Sequence, residues 1–441
     1  MSTVSDAELA DFKARNDANP NSYYIQPQAA DSQAAFAATA AEDQSTDQEQ
    51  PPGTPDPEYE AGYVPPVLST QNPLDRCDSL ASKKPAQVNN LYGYVPDKYL
   101  YCQKANIIYT GVRSNGQIAG QISFTYVIVA VPNAANDLSG RKVKYTTYMD
   151  NFYTAAAGGL GSENNILLSV FMSHFSSDAG ANSFCQVRDE AFPQHEQNSP
   201  RSSTWKVVDQ TVSKWRTDPK YEFEMRSPPP ANATGSYYDL QLSTCEMYYT
   251  VDGKSLACAP GNCYAQIRSP GPAREVRCDS ARYSGNMKSY GCGWRGTVPF
   301  LSYSTDSGSG VREVALNIRE AKTLGAPGTR GGPYLHRIYA GKPAGLVYYP
   351  DRQAIINENT RVAVADCDRR YPPGWRENKT YECDEYGFKS TYEGAANNFN
   401  YPWRATKVHA LQNSKAGGLL SSFYNSWRVL DGDELAVVVA S

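Results

Sequence analysis

Ten cysteines constrain the fold of this 441-residue chain more than any other feature. They are even in number and lie between Cys77 and Cys383. No cysteines show the paired CxxC spacing of a zinc ribbon, and the four histidines are widely separated. The pattern therefore favours an oxidised, secreted protein with as many as five disulfide bonds.

Two pairs of these cysteines lie close enough in sequence to close local loops. Cys258 and Cys263 flank the tight segment "CAPGNC", and Cys278 and Cys292 enclose a slightly longer one. We expect a disulfide across each loop. Four further cysteines would supply two more bridges, but the sequence leaves their pairing open: Cys77, Cys102, Cys185 and Cys245.

The first 60 residues differ in composition from the rest of the chain. They hold twelve acidic residues but only Lys13 and Arg15, a net charge of −10, which leaves +6 for the remainder of a chain whose total is −4. Such a segment buries too little apolar surface to order itself, so residues 1–60 are predicted to form a disordered acidic leader. Its opening lacks the positive and apolar regions of a signal peptide. Export is therefore expected through a signal removed earlier or by another route.

Residues 61–305 are predicted to form a mainly β, disulfide-containing domain. Short β-branched and aromatic runs, such as "QISFTYVIV" at 121–129 and "STWKVVDQTVSKW" at 203–215, are divided by Gly, Asn, Asp and Pro. The chain also contains 32 Tyr, a residue that favours half-buried strands. Regular spacing of such runs predicts an antiparallel, sandwich-like architecture.

The C-terminal part of the chain changes to a mixed pattern. Residues 306–334 are predicted to form an amphipathic helix, within "GVREVALNIREAKTLGAPG" at 310–328, and a linker, with Gly325 as the C-cap. Residues 335–441 are predicted to form a small α+β module. Its expected elements are a strand "GLVYYP", a helix near 353–366, a strand carrying "CDEY", a third helix and a last strand "DELAVVVA".

Two motifs in this module occur together and in order. The first is "CDEYGFKSTYEGA" (383–395), and the second is "HALQNSKAGGLLSSFYNSWRVLDGDELAVVV" (409–439). Together they resemble the signature of the NucA/NucB deoxyribonuclease family, in which a Cys-Asp-Glu-aromatic run leads to a Glu-Gly pair. An Asn-containing turn, a Gly-rich helix and a closing strand follow. The resemblance covers residues 335–441 and extends more loosely upstream, as in secreted actinobacterial relatives with a β-rich domain ahead of the nuclease.

The resemblance implies a metal-dependent DNA hydrolase similar to the ββα-metal nucleases, with an acidic side chain in place of the usual histidine base. Asp384 or Glu385 is then the candidate base. Neighbouring strand residues point to opposite faces, so the two should have different roles, and we favour Asp384. Glu393 and Asn413 are the candidate metal ligands, because their oxygen donors suit Mg²⁺ or Mn²⁺.

Other residues of the module are predicted to contact DNA or to have structural roles. Candidate contacts to DNA phosphates are Lys389, Arg404 and Lys407, with Arg361, Arg369 and Arg370 as further choices. Cys367 and Cys383 are predicted to form a structural disulfide rather than to act as nucleophiles. His336 and His409 are predicted to be packing or loop residues, and Asp431-Gly-Asp433 to be a turn before the last strand. Two positions depart from the family pattern: Gly387, where relatives often carry Pro, and Gln412, where some carry an acidic residue or His.

The predicted function is a secreted, largely sequence-non-specific endonuclease that acts on DNA, with RNA left open as a substrate. The net charge of +6 on the residues after the first 60 is compatible with a polyanionic partner such as DNA. No segment approaches the roughly 18–20 apolar residues of a membrane helix. We expect a monomer, and a surface ligand or inhibitor protein is a further partner that the sequence leaves open. Two alternatives remain: a glycan- or protein-binding module with a degenerate nuclease domain, and a nuclease toxin delivered to competing cells.

Overall fold

The computed structural model describes fifteen ranges of the chain, and its contacts divide them into two compact units. The first unit comprises the described residues from 22 to 279 together with 291–295, and the second comprises residue 281 and those from 297 to 440. The described ranges are 22–23, 72–89, 93–112, 118–132, 141–155, 162–176, 186–188, 202–227, 243–255, 272–279, 281, 291–295, 297–341, 349–397 and 401–440.

The larger sheet of the first unit has seven described strands. Its order is β1-β3-β4-β5-β9-β7, with β2 also paired to β3. All pairings are antiparallel except that of β1 with β3. The strands are β1 (Ser22–Tyr23), β2 (Tyr94–Asp97), β3 (Leu100–Val112), β4 (Ile118–Pro132), β5 (Lys142–Ala155), β7 (Gln186–Arg188) and β9 (Lys220–Arg226).

A second, five-stranded antiparallel sheet shares its core with the first. Its order is β12-β11-β10-β6-β8. One hydrophobic cluster contains Phe124 and Ile128 of the first sheet with Val170 and Trp294 of the second. The predicted β-rich, antiparallel character of this region is therefore confirmed. The strands are β6 (Ile166–Ser176), β8 (Ser202–Thr211), β10 (Ser243–Ser255), β11 (Pro272–Asp279) and β12 (Gly291–Trp294).

The described residues of this unit also form three short α-helices: α1 (Pro73–Lys83), α2 (Pro85–Val88) and α3 (Val212–Thr217). Helix α3 corrects one prediction, because the end of "STWKVVDQTVSKW" is helical rather than extended. The Thr211 side chain accepts a hydrogen bond from the Lys214 amide and caps the helix. Trp215 is fully buried in the core, so tertiary packing overrides the local β propensity.

Disulfides tie the elements of the first unit together. Cys278 and Cys292 join β11 to β12, as predicted. Cys77 and Cys102 join α1 to β3, a pairing that the sequence left open. Cys245 is also disulfide-bonded. The predicted bridge between Cys258 and Cys263 lies outside the described residues, as does Cys185.

The second unit combines two small sheets with three helices. β13 (Phe300–Ser304) runs parallel to β17 (Glu434–Ala440), which pairs on its other side with β14 (Leu335–His336). β15 (Tyr381–Tyr386) and β16 (Arg404–His409) form an antiparallel pair. The helices are α4 (Arg312–Thr323), α5 (Pro350–Arg370) and α6 (Ala410–Ser426).

Helix α4 is part of this compact unit. It packs against β15, β16 and α6, and its buried face includes Val314, Ile318 and Ala321. It ends before Gly325, which has a positive φ of 90° and occupies the predicted capping position. The predicted strand "GLVYYP" lies mostly outside the described residues, and its final residue, Pro350, begins α5.

The opposite face of the β15–β16 pair packs against α5. A hydrophobic cluster there contains Ala363 and Cys367 of the helix with Ala405 of β16, and Cys383 packs against it. The Cys367–Cys383 disulfide joins α5 to β15 as predicted. None of the helices among the described residues is long and apolar enough to cross a membrane.

Removing the Cys367–Cys383 disulfide is expected to destabilise the second unit without abolishing its fold. The bridge spans 16 residues, and a loop of this size restricts the unfolded chain by about 3 kcal/mol. We expect the double variant Cys367→Ser/Cys383→Ser to lose about that much free energy of unfolding, measured by urea denaturation. The matched control is Cys278→Ser/Cys292→Ser, which removes a disulfide of similar span from the first unit. An unchanged urea midpoint in the first variant would contradict the prediction.

Candidate active site

Strand β15 carries the central acidic residues in two environments. Its alternation places Asp384 on the face toward α4, where the side chain is 6% exposed. Glu385 faces the other way and is half-buried. Asp384 lies opposite Thr406, and Glu385 lies opposite Ala405 on β16. The two carboxylates are therefore neighbours in sequence with different surroundings.

Asp384 is held by an asparagine from outside the motif. The Asn317 amide on α4 donates to Asp384 Oδ2 at 2.8 Å and also approaches the Asp384 carbonyl oxygen at 3.4 Å. The pKa of Asp384 is raised to about 7: burial is the largest cause, the nearby charge of Glu385 acts in the same direction, and the hydrogen bond from Asn317 opposes both. Asp384 consequently changes protonation near neutral pH.

Glu385 has a raised pKa for the same leading reason. Burial disfavours its charged form, whereas the positive charge and backbone amide of Lys389 favour it. The Lys389 amide donates to Glu385 Oε1 at 3.4 Å. The Lys389 side chain itself is exposed. Of the two carboxylates, Glu385 therefore lies closer to a cation, and Asp384 lies deeper.

Glu393, a predicted metal ligand, is bound at both oxygens by His336. The His336 backbone amide donates to Oε2 at 2.8 Å, and its ring Nδ1 lies 2.7 Å from Oε1. The Glu393 side chain is 5% exposed, and the other ring nitrogen of His336 lies 3.6 Å from Glu434 Oε1. This cluster ties the loop after β15 to β14, so His336 has a structural contact here.

Asn413, the other predicted metal ligand, lies in the first turn of α6. Its Nδ2 donates to Glu382 Oε2 at 2.8 Å. Glu382 is two residues from Asp384 and therefore on the same face of β15. The structure thus brings Asn413 to the Asp384 face and Glu393 to His336. Within the part of the chain that the structure describes, no three His, Cys, Asp or Glu residues cluster as a metal site.

Both glycines of the first motif are required by close contacts. A side chain at Gly387 would place its Cβ 2.6 Å from the Glu393 carbonyl oxygen. One at Gly394 would collide with the Asn359 side chain. Asn359, from α5, is fully buried and donates to the carbonyl oxygens of Lys389 and Thr391. Gly387 is therefore part of a tightly packed turn rather than a loose one.

Gln412 fastens α6 to α4. Its side-chain oxygen accepts a hydrogen bond from the Glu313 amide at 2.9 Å, at the start of α4. In return, Glu313 Oε2 accepts from the His409 amide at 2.6 Å, at the start of α6. Val311, the N-cap residue of α4, has no side-chain capping bond, so Gln412 supplies an acceptor that this helix start needs. The His409 ring also caps α6, through the Leu411 amide.

Five of the candidate phosphate-binding residues form ion pairs with carboxylates of the protein. Arg404 pairs with Glu320, and Lys407 pairs with Glu377 at 2.9 Å and lies over the Tyr381 ring. The further candidates also form ion pairs: Arg361 with Glu358, and both Arg369 and Arg370 with Asp366. Arg404 and Lys407 are half-buried, but their partners Glu320 and Glu377 are exposed, so phosphate oxygens could replace these two carboxylates.

The Asp431-Gly-Asp433 segment forms a turn before β17, as predicted. Gly432 has a positive φ of 77°. Asp431 accepts a hydrogen bond from the Tyr339 amide and pairs with Arg352 at 2.9 Å. Asp433 accepts from the Leu430 amide. Both carboxylates therefore serve the turn and its neighbours.

Two asparagines of the site, Asn317 and Asn359, were not predicted from the sequence. Asn317 interrupts the apolar face of a helix that was expected to precede the nuclease module, and its partner lies 67 residues later. The one available signal was an amide between Val314 and Ile318 on an apolar helix face. Asn359 carries no comparable signal, because α5 lacks a regular apolar stripe beside it.

A buried carboxylate whose pKa lies near neutrality is typical of an acid–base catalytic site.

Residues 337–438 match the family model described as Deoxyribonuclease NucA/NucB, so this segment of the chain is a domain of that family. The match begins after β13 and α4, which belong to the same compact unit. No match was found among curated proteins or solved structures.

Proposed function

We propose that the chain is a secreted, divalent-metal-dependent endonuclease that hydrolyses DNA phosphodiester bonds with little sequence preference. The observation that carries the proposal is Asp384: a buried acid with a pKa of about 7, on β15 of a NucA/NucB domain. A general base is most effective when its pKa lies near the working pH. The order β15, β16, α6 also agrees with the strand–strand–helix arrangement that the family resemblance implies.

The proposed mechanism uses Asp384 to accept a proton from the attacking water. Asn317 occupies Oδ2, so Oδ1 is the oxygen that would take the proton. Asn317 fixes the carboxylate, and the aromatic side chains of Tyr303 and Tyr386, both buried, exclude bulk water from this face. Arg404 lies opposite Tyr386 and so on the Asp384 face of the strand pair; after exchange of its ion pair it would hold a phosphate oxygen. Lys407 and Lys389 lie toward the Glu385 face and would contact neighbouring phosphates.

Divalent metal is part of the proposal because the donors suit it. Asn413 uses Nδ2 toward Glu382, which leaves its amide oxygen for a cation. Glu393, the other predicted ligand, would have to exchange its contacts with His336 to bind a metal. Mg²⁺ commonly takes one or two carboxylates and completes its shell with water and phosphate. When bound, Mg²⁺ or Mn²⁺ would offset the charge that develops on the phosphate.

Secretion and phosphate-directed cleavage have their own support. Disulfides such as Cys278–Cys292 and Cys367–Cys383 are typical of proteins that mature in an oxidising compartment. Contacts from Lys and Arg to phosphates carry no base information and favour sequence-tolerant cleavage. The alternative of a degenerate domain rested on Gly387 and Gln412, and both have structural contacts that account for them.

Purified full-length protein is expected to convert supercoiled plasmid to nicked, linear and then short DNA in the presence of Mg²⁺ or Mn²⁺. EDTA should stop the reaction, and excess metal should restore it, because the metal offsets charge in the transition state. A parallel reaction with single-stranded RNA tests whether the protein also cleaves RNA. Undiminished cleavage in EDTA would reject metal dependence, and no cleavage with any divalent metal would reject the nuclease function.

A further inference from the structure

Helix α4 lies outside the family match yet contacts the centre of the site. The match starts at residue 337, whereas α4 spans Arg312–Thr323. The reciprocal hydrogen bonds between Gln412 and Glu313, and between Glu313 and His409, join the starts of α4 and α6. The helix that carries Asn317 is thereby fixed against the helix that carries Asn413.

Asn317 is the polar exception on the buried face of α4. The five buried residues of this helix are Val314, Ala315, Asn317, Ile318 and Ala321. Asn317 is 2% exposed, and its Oδ1 atom has no hydrogen-bond partner among the described residues. A buried amide with an unsatisfied oxygen costs free energy that an apolar side chain would avoid. The contact that offsets this cost is the donation from Nδ2 to Asp384.

The geometry of this contact fixes the direction of the Asp384 carboxylate. Nδ2 reaches both Oδ2 and the carbonyl oxygen of Asp384. Two acceptors on one residue hold the amide with its N–H groups toward the carboxylate, an orientation that favours the ionised acid. Tyr303, which is also buried beside this face, instead donates its hydroxyl to the Ala416 carbonyl.

We propose that Asn317 is a positioning residue for the nuclease reaction: it holds the Asp384 carboxylate ionised and oriented for proton abstraction. The proposal rests on the proposed nuclease function. It extends the functional site beyond residues 337–438, to a helix that this family model does not cover.

The test compares cleavage by full-length wild type and Asn317→Leu between about pH 5 and pH 9. Leucine keeps the side-chain volume but removes the donor, so the Asp384 pKa should rise. The acidic limb of the rate profile should then move up by about one pH unit, and kcat near pH 7 should fall roughly fivefold with KM little changed. Val314→Ala, on the same buried face, is the control for lost packing and should leave the profile in place.

An unchanged profile in folded Asn317→Leu protein would overturn the proposal. Should that variant fail to fold, Asn317→Ser carries the test: its hydroxyl is a shorter donor, so a smaller shift in the same direction supports the proposal and no shift overturns it. If wild type cleaves no DNA, the nuclease function fails, and the Asp384 carboxyl titration followed by NMR replaces the rate profile. A higher midpoint in the Asn317 variant than in wild type then supports the contact, and equal midpoints reject it.

Discussion

Replacing Asp384 by asparagine is expected to lower the rate of plasmid cleavage by about three orders of magnitude while the fold is retained. The change keeps the size of the side chain and removes the group that accepts the proton, and a positioned general base contributes roughly 10²–10⁴-fold. Cleavage rates at saturating DNA, together with thermal unfolding of both proteins, measure the effect. The matched control is Glu385→Gln on the same strand, for which we expect a smaller loss.

The same variant should change how stability depends on pH. Burial raises the folded-state pKa of Asp384 from 3.8 to about 7. The folded state therefore holds a proton that the unfolded state releases between about pH 4 and pH 7, and this group lowers stability as the pH rises through that window. Asp384→Asn removes the buried charge, so the variant should be more stable than wild type at pH 8, by on the order of a few kcal/mol, and the difference should shrink toward pH 4.

Two results would contradict the assignment of Asp384. Cleavage at the wild-type rate in Asp384→Asn would remove it as the base. A large loss in Glu385→Gln with little loss in Asp384→Asn would transfer the role to Glu385. The sequence alone does not separate these two residues, but their surroundings do: Asn317 binds Asp384, and Lys389 lies beside Glu385.

The β-rich region was predictable where side chains alternate, and less so where both faces are buried. In β4, Ile122, Phe124 and Ile128 enter one hydrophobic cluster, whereas Val127 and Val129 enter another. Two buried faces explain why "QISFTYVIV" only approaches alternation. The six residues of α3 were missed because their helix is capped by Thr211 and anchored by Trp215, contacts that propensity does not capture.

The candidate site was predictable as a motif but not as an arrangement. Strand alternation alone places Asp384 and Glu385 on different faces. The partners of Glu393 and Asn413 could not be predicted from their spacing. Glu393 contacts His336 of β14, and Asn413 of α6 contacts Glu382 of β15. Sequence separation likewise hid Asn317, since a single buried amide on a helix gives no indication of what it contacts.

A chain limited to residues 335–441, the module first predicted from the sequence, is expected to be unfolded and inactive, whereas residues 297–441 should fold and cleave DNA. The shorter chain lacks β13, which supplies five residue pairs along β17. It also lacks α4, which covers the Asp384 face of β15 and carries Asn317. Circular dichroism, thermal unfolding and plasmid cleavage of both chains measure the difference.

The expected loss follows from what residues 297–334 bury. Eight apolar side chains of this segment are nearly inaccessible, and removing them leaves β17 and the β15–β16 pair exposed: Leu301, Tyr303, Val311, Val314, Ala315, Ile318, Ala321 and Ala326. At about 1.5–3 kcal/mol for each larger apolar side chain, the loss is on the order of 10 kcal/mol, as large as the stability of a typical domain. Lys322 also donates to the Gly328 and Val437 carbonyl oxygens, so β17 would lose a further contact. Cooperative unfolding and full cleavage activity in the 335–441 chain would show that α4 is dispensable and would remove the structural basis for a role of Asn317.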